Sequence, residues 1–158
     1  MLDYVYGHDE TVGAFVASLV PHCRRGFGNC KTIGVIDEEG HLMAGLVYHN
    51  YDPEAGIIEI SGASLSPRFL TRETIRRIYT YPFLEIGVQM VVQRNPAEDE
   101  RLLRQLAVYG FMFIAVPRMF GRDRDGVLCL LTIEDWQANK FNKRLKHHVV
   151  DAPLEEAA

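Results

Sequence analysis

The residues with the clearest chemical potential lie on two neighbouring strands of a predicted sheet. His49 ends an apolar run, and a histidine at a strand end beside a cleft can carry a proton near neutral pH. Glu59 lies on the next strand, where alternation places Glu59, Ser61 and Ala63 on one face. Partial burial on a sheet can raise the pKa of such a carboxyl group toward neutrality. A purely structural role stays open for both residues, in which His49 would cap the strand edge and Glu59 would simply face solvent.

A segment rich in glycine and arginine precedes this sheet and adds further polar candidates. It spans residues 22–31 and contains Arg25, Phe27 and Asn29. Binding residues often lie on loops of this kind. A simple turn with Phe27 buried against the domain accounts for the segment equally well.

The cysteines and histidines do not have the spacing of a metal site or a disulfide framework. The chain has three cysteines, an odd number, and no CxxC pair. The spacing of one candidate set matches no ordinary zinc pattern: His22, Cys23, Cys30 and His41. We therefore expect no metal, and reduced, mostly buried thiols.

Composition and charge are those of an ordinary globular protein. The chain has 158 residues, of which 47% are hydrophobic and 24% charged, enough for one domain with a proper core. No apolar run reaches the ~18 residues of a membrane-spanning helix. The first residues lack the pattern of a secretory signal, so we expect a cytoplasmic protein without a membrane partner. A net charge of −4 disfavours nucleic-acid binding by bulk electrostatics.

The elements that must position these residues follow from hydrophobic spacing. A first helix, capped by Asp9 and ended by Pro21, has apolar residues at helical intervals: Val12, Phe15, Val16 and Leu19. Three strands joined by short turns then form an antiparallel meander, over residues 32–37, 41–51 and 57–65.

A parallel crossover follows the meander. Thr71 can cap a helix that Pro82 kinks or restarts, because proline fits only a first helical turn. Residues 89–94 form a strand with an apolar middle, as in a buried parallel strand. A strand, a helix and a strand of this length make a right-handed crossover, so residues 57–65 and 89–94 should run parallel.

A further helix and a closing hairpin complete the predicted architecture. The helix spans residues 97–109 and ends at Gly110. The hairpin pairs residues 113–120 with residues 127–133. The predicted fold class is α/β: a mixed central sheet built from an antiparallel meander, one parallel βαβ crossover and a C-terminal hairpin, with helices on both faces.

The chain divides into one domain and a tail. Residues 1–136 form the predicted domain, and residues 137–158 are first basic and then acidic. We expect the last ten or so residues to be disordered.

The order of these elements resembles the GNAT N-acetyltransferase superfamily. Residues 32–48, with their acidic-glycine turn and a glycine in the second strand, look like the family's paired central strands. Residues 106–111 look like the helix ending in Gly-Phe before the last hairpin. The resemblance covers residues 32–133, most of the chain.

The resemblance implies a site between two splayed parallel strands. Acetyl-CoA would lie there as co-substrate, bonded to strand backbone at Leu65 and Ser66, since unpaired N–H and C=O groups need a partner. Glu59 is similar to the general base of histone-type members. The loop residues described above, which would contact an amine acceptor, are Arg25, Phe27 and Asn29.

The chain departs from the family at the loop that holds the cofactor's pyrophosphate. Arg72 can supply a positive charge, and Thr71 and Thr74 can offer hydroxyl groups. Glu73 and Ile75 occupy the two glycine positions, and an anionic Glu73 would repel a pyrophosphate at a helix N-terminus.

A second departure concerns the general acid of the family. Leu106 stands where members often have a tyrosine that protonates the leaving thiolate. Tyr109 lies three residues later, about 60° away around the helix.

The leading expectation is an acetyltransferase that moves an acetyl group from acetyl-CoA to a small-molecule or protein amine. One alternative is a catalytically altered GNAT fold that acts as a structural or partner-binding domain. Another is a phage-type enzyme that modifies nucleic-acid bases. The acceptor is not identified by the sequence, and a homodimer stays open.

Overall fold

The computed structural model describes residues 1–142 and contains seven strands and four α-helices in that part of the chain. The strands are β1 (Asp3–Tyr6), β2 (Cys30–Ile36), β3 (Leu42–Asp52), β4 (Ile57–Ser64), β5 (Met90–Pro96), β6 (Met112–Val116) and β7 (Gly126–Thr132). The helices are α1 (Asp9–Leu19), α2 (Arg72–Thr80), α3 (Glu100–Tyr109) and α4 (Ile133–Ala138). The shorter helical turns are Pro21–Cys23, Pro67–Phe69, Tyr81–Ile86 and Lys140–Asn142.

All seven strands belong to one mixed sheet. Its order is β1-β2-β3-β4-β5-β7-β6, and β4–β5 is its parallel pair. The other pairings are antiparallel, including the meander β2-β3-β4 and the hairpin β6–β7. The predicted fold class is therefore confirmed. Strand β1 was not predicted, because four residues at a sheet edge carry too little alternation to be recognised.

Helix α1 covers one face of the meander at very short range. A Cβ atom at Gly45 would lie 2.7 Å from Val16 Cγ2, so glycine is required for the approach. The helix begins one residue earlier than expected, with His8 at the cap position. The prediction that Asp9 caps it is wrong, because its carboxylate accepts hydrogen bonds from Thr32 N at 2.8 Å and Thr32 Oγ1 at 2.9 Å. Asp9 thus ties α1 to the sheet.

The other face carries the main core, under α2, α3 and α4. Buried side chains from these helices include Ile78, Leu106 and Trp136, packed on β3, β4 and β7. Tyr48 Oη donates to the Ile78 carbonyl at 2.6 Å and so anchors α2 to the sheet. Helices therefore lie on both faces, as predicted.

Two expected helix ends are observed. Thr71 caps α2, and its hydroxyl accepts a hydrogen bond from Thr74 N. Gly110 ends α3 with φ 113°, in the left-handed region that favours glycine. Pro82 lies in the first turn of the π-helical segment that follows α2, where its missing N–H leaves no bond unmade.

The C-terminal part of the described chain continues beyond Trp136. Helix α4 runs to Ala138, and a helical turn follows to Asn142, whose side chain is buried. The boundary at residue 136 stays a prediction, and most of the predicted tail lies outside the described residues. In residues 1–142, every helix is too short or too polar to span a bilayer.

Candidate functional site

The two parallel strands separate after a short paired stretch. β4 and β5 pair at Ile57–Met90, Ile58–Val91 and Glu59–Val92. Beyond Glu59 and Val92 both strands continue without pairing to each other, as far as Ser64 and Pro96. The sheet is therefore forked between its fourth and fifth strands.

Main-chain groups of β4 face this fork. Leu65 N donates to Met43 O at 2.8 Å, so residue 65 points its N–H toward β3. Alternate residues of a strand turn these groups to opposite neighbours, so those of Gly62 and Ser64 point into the fork. The Leu65 N–H is thus not free for a ligand, and its carbonyl and the backbone of Ser66 stay predicted contacts. The Ser66 hydroxyl accepts from Arg68 N.

A cavity of about 890 Å³ fills the fork and extends between α2 and α3. Leu65 and Ser66 lie in its wall, with Ser61 at the fork and Ile75 on α2. Three of the charged residues in its wall are basic, namely Arg94, Arg101 and Arg104, and one is acidic, Asp99. This positive lining contrasts with the net charge of −4 of the whole chain and favours an anionic ligand.

The two threonine hydroxyls expected to bind a cofactor are already bonded within the protein. Thr74 is 1% exposed, and its Oγ1 lies 2.8 Å from Tyr4 Oη and 3.0 Å from Thr71 Oγ1. Thr71 Oγ1 also accepts from Thr74 N at 3.1 Å. Both hydroxyls therefore fix the start of α2, and contact of either residue with a cofactor stays a prediction.

Glu73 points away from the cavity. Its carboxylate accepts hydrogen bonds from Arg76 and Arg77 at 2.7–2.9 Å and lines a separate depression beside the N-terminus. These bonds from Arg76, together with those from Arg77, hold the pKa of Glu73 below its usual value. The expected repulsion of a pyrophosphate is reduced by this geometry. Arg72 is exposed and lies outside the cavity wall. Of Glu73 and Ile75, the two residues at the family's glycine positions, Ile75 lies in the cavity wall.

Glu59 lies at the apex of the fork in a network of hydrogen bonds. Arg94 Nε donates to its Oε1 at 2.7 Å, and Asn50 Nδ2 donates to its Oε2 at 2.8 Å. Asn50 reaches it from a left-handed backbone conformation (φ 49°), which asparagine tolerates well. Burial raises the pKa of Glu59, but the bonds from Arg94 and Asn50 outweigh it and hold the pKa below its usual value. The expectation of a raised pKa is therefore wrong, because Arg94 supplies a counter-charge.

His49 lies directly opposite Glu59 on β3. It is 5% exposed, and its Nε2 lies 2.9 Å from Ser61 Oγ. Phe27 covers the imidazole edge-to-face, with ring centroids 4.9 Å apart. Burial lowers the pKa of His49; the Glu59 carboxylate opposes this effect and Arg94 adds to it. His49 is therefore neutral near pH 7.

The segment between α1 and β2 reaches this cluster through some of its residues only. Phe27 contacts His49, and His22 lines the cavity with its ring 4.5 Å from that of Phe120. Arg25 and Asn29 are exposed and lie outside the cavity wall. The acceptor contacts predicted for them stay untested predictions.

Two buried tyrosines line the middle of the cavity. Tyr79 Oη accepts from Gln93 Nε2 at 3.4 Å, and Tyr109 Oη accepts from Trp136 Nε1 at 3.2 Å. Burial raises the pKa of both, so both keep their protons at neutral pH. Leu106, which has no proton to donate, lies in the same cavity wall as these two tyrosines, which retain their protons.

A separate group of ionisable residues lies at the β2–β3 turn. Ligand atoms of Asp37, Glu39 and His41 lie within 4.8 Å of one another. The turn itself accounts for the arrangement, because Asp37 Oδ1 accepts from Glu39 N and His41 N. The group is largely exposed and lies outside the wall of the fork cavity.

Comparison with solved structures identifies the fold. A mutant form of the spermidine/spermine N-acetyltransferase SpeG from Vibrio cholerae has a TM-score of 0.70 at 12% identity, over 86% of this chain and 97% of that chain. The dodecameric spermidine N-acetyltransferase of that organism has a TM-score of 0.69 at 12% identity, over 87% of this chain and 96% of that chain. A protein from Acinetobacter baylyi ADP1, provisionally assigned as an acetyltransferase, gives 0.65 at 15% identity, over 85% and 94%.

These similarities extend over nearly the whole of the described chain. The protein has the GNAT acetyltransferase fold, and the resemblance predicted from sequence is confirmed at the level of the fold. No protein-family model matches the sequence, and no curated protein matches it.

Proposed function

We propose that the protein transfers an acetyl group from acetyl-CoA to an amine. The observation that carries this proposal is the fork between β4 and β5 with its open cavity. The backbone of Gly62 and Ser64 would bond the pantetheine arm as an added strand does. Structural neighbours that act on spermidine support an amine acceptor.

The phosphates of acetyl-CoA would be held largely by α3 in place of a glycine loop. Arg101 and Arg104 lie in the cavity wall, and Arg104 is only loosely paired, at 3.8 Å from Glu100. Arginine is well suited to bind phosphate oxygens. Arg72 and the first N–H groups of α2 would contribute from the other side.

Positioning would supply much of the rate. The acyl group would lie at the inner end of the fork, beside Ser61 and below the polar cluster of His49 and Glu59. Since Glu59 is held ionised by Arg94, its proposed part is electrostatic support, and His49 is the stronger candidate for a base.

Binding tests the proposal directly. Calorimetry and thermal shift with acetyl-CoA at millimolar concentration should give heat and a raised unfolding temperature. Acetyl-pantetheine, which lacks the phosphates, serves as the matched ligand and should bind more weakly. Absence of binding by acetyl-CoA in both measurements would refute the proposal.

A second candidate, a partner-binding domain, is favoured by the edge of the sheet. On β6, Met112 is 52% exposed and Ile114 is 50% exposed, at the edge of the sheet. One structural neighbour is a dodecamer, which supports an oligomer here. Light scattering of wild type and Met112→Lys/Ile114→Lys tests it: wild-type oligomers that dissociate in the variant support contact through β6.

Cytoplasmic location stays a prediction.

A further inference from the structure

Ser61 and His49 form a hydrogen-bonded pair that connects the cavity to a buried base. Ser61 lies in the cavity wall, and its Oγ is 2.9 Å from Nε2 of the buried His49. The two residues belong to adjacent strands and are offset by two residues in register, since His49 pairs with Glu59 and Val47 with Ser61. The pair is thus fixed by the sheet on one side and open to a ligand on the other.

We propose that Ser61 and His49 relay a proton from the acceptor amine during acetyl transfer. This inference rests on the proposed function. As the amine nitrogen attacks the thioester carbon, its N–H proton passes to Ser61 Oγ, and the Ser61 hydroxyl proton passes to His49 Nε2. The C–N bond forms, the C–S bond breaks, and CoA leaves as a thiolate. The proton held on His49 then passes to solvent or to the thiolate, which restores the pair.

The charges around His49 suit this role. Glu59 lies opposite it as a carboxylate, and such a negative charge stabilises the imidazolium that forms when the proton arrives. Arg94, which pairs with Glu59, prevents that carboxyl group from taking the proton itself. Glu59 is therefore a positioning and stabilising residue in this reaction, and His49 is the catalytic base.

The remaining groups against the pair are compatible with the relay. Cys30 is the register partner of His49 on β2, and Phe27 covers the ring. Burial raises the pKa of the Cys23 thiol and outweighs the lowering effect of Ser61, so that the thiol remains neutral. Glu59 and Arg94 are the charged neighbours that act on the pKa of His49.

His22 is the rival base, because it lines the same cavity. Its surroundings are less favourable for receiving a proton. Burial, Arg94 and Arg124 all lower its pKa, with Glu59 as a weaker opposing influence. An imidazolium at His22 would be opposed by the charges of Arg94 and Arg124, whereas at His49 the carboxylate of Glu59 has a larger effect than the guanidinium of Arg94.

Kinetics of four variants test the relay: Ser61→Ala, His49→Gln, the double variant and His22→Gln. The probes are acetyl-CoA with spermidine or benzylamine, and Ser18→Ala, exposed on α1, is the control. Ser61→Ala and His49→Gln should each lower kcat by about a hundredfold or more, with little change in acetyl-CoA affinity. The double variant should be no slower than the slower single variant, because the residues act as one unit. His22→Gln should lower kcat far less than His49→Gln does, because His22 does not take the proton in the relay.

The pH profile gives a second kinetic readout. Wild-type kcat/KM should fall as His49 becomes protonated, on an acidic limb below the ordinary histidine pKa of 6.5. That limb should disappear in His49→Gln. A loss confined to His22→Gln, or an acetyl group found on Ser61 by intact mass, would overturn the relay.

Histidine ¹⁵N NMR keeps the proposal testable even without turnover. The relay requires His49 to carry its proton on Nδ1, so that Nε2 accepts from Ser61. A proton on Nε2 at pH 7.5 would overturn the relay regardless of activity. Binding of acetyl-CoA without turnover of any amine would instead count against the proposed function. In that case, an unprotonated Nε2 on His49 that loses its hydrogen bond in Ser61→Ala would still support the Ser61–His49 pair.

Discussion

The two edges of β4 behave differently although they belong to one strand. Toward β3 the pairing runs from Ala44–Ser64 to His49–Glu59 and resumes at Asp52–Ile57. Toward β5 it stops after Glu59–Val92. An unpaired stretch of strand leaves polar main-chain groups without protein partners, which is unfavourable unless water or a ligand supplies them. One edge therefore holds the sheet together, and the other is available for binding.

The largest expected effect comes from filling the open edge. Ser64→Trp places a bulky side chain in the cavity wall and should weaken acetyl-CoA binding by roughly a hundredfold, because the overlap must be relieved before the ligand fits. Calorimetry measures this change. Ser18→Trp, on the exposed surface of α1, should bind as wild type does. Unchanged affinity in Ser64→Trp would place the ligand outside the fork.

Removing the charges of α3 should have an intermediate effect. Arg101→Gln/Arg104→Gln should weaken the binding of acetyl-CoA by about tenfold, because charge-assisted hydrogen bonds to its phosphates are lost. The variant should bind acetyl-pantetheine as tightly as the wild type does. The affinity of the wild type should also fall with added salt more steeply than that of the variant. Arg118→Gln/Arg122→Gln, at two exposed residues outside the cavity wall, is the control with the same change in net charge. Equal weakening of both ligands would show that α3 does not bind the phosphates.

The smallest expected effect concerns the apex of the fork. The pKa of Glu59 is lowered in the folded protein from its ordinary value of 4.5, so ionised Glu59 stabilises the fold above that pH. This contribution is lost as pH falls through the folded pKa. The difference in free energy of unfolding between wild type and Glu59→Gln should therefore be largest near neutral pH and shrink below pH 4.5. Urea unfolding at several pH values checks it, with the exposed Glu10→Gln as control; a difference independent of pH would contradict the assignment.

Much of the fold could be predicted from short-range patterns. The turn Glu38-Glu39-Gly40 between apolar runs defined the first hairpin, and Gly110 defined the end of α3. The start of α1 was missed by one residue because Asp9 looks like a cap in sequence and instead bonds Thr32, which lies 23 residues away.

The site was predicted less completely because its partners are distant in sequence. His49 and Glu59 could be placed together from the meander alone. The bond between Arg94 and Glu59 spans 35 residues, and it reverses the expected pKa shift. Ser61 was recognised only as a small neighbour, since its hydrogen bond depends on side-chain directions that spacing does not give. Arg101 and Arg104 were not among the predicted site residues, because which residues of α3 line a cavity depends on how the helix packs on the sheet.

The ion pair between Glu59 and Arg94 bridges the two strands just past their last backbone pair. It therefore marks the depth to which any elongated ligand can enter: further travel toward Ile57 would require breaking both a partly buried ion pair and the strand ladder. A molecule threaded between the strands comes to rest with its leading end beside Ser61. The length of the ligand that reacts is thus set by the distance from this pair to Arg101 and Arg104 of α3 in the cavity wall.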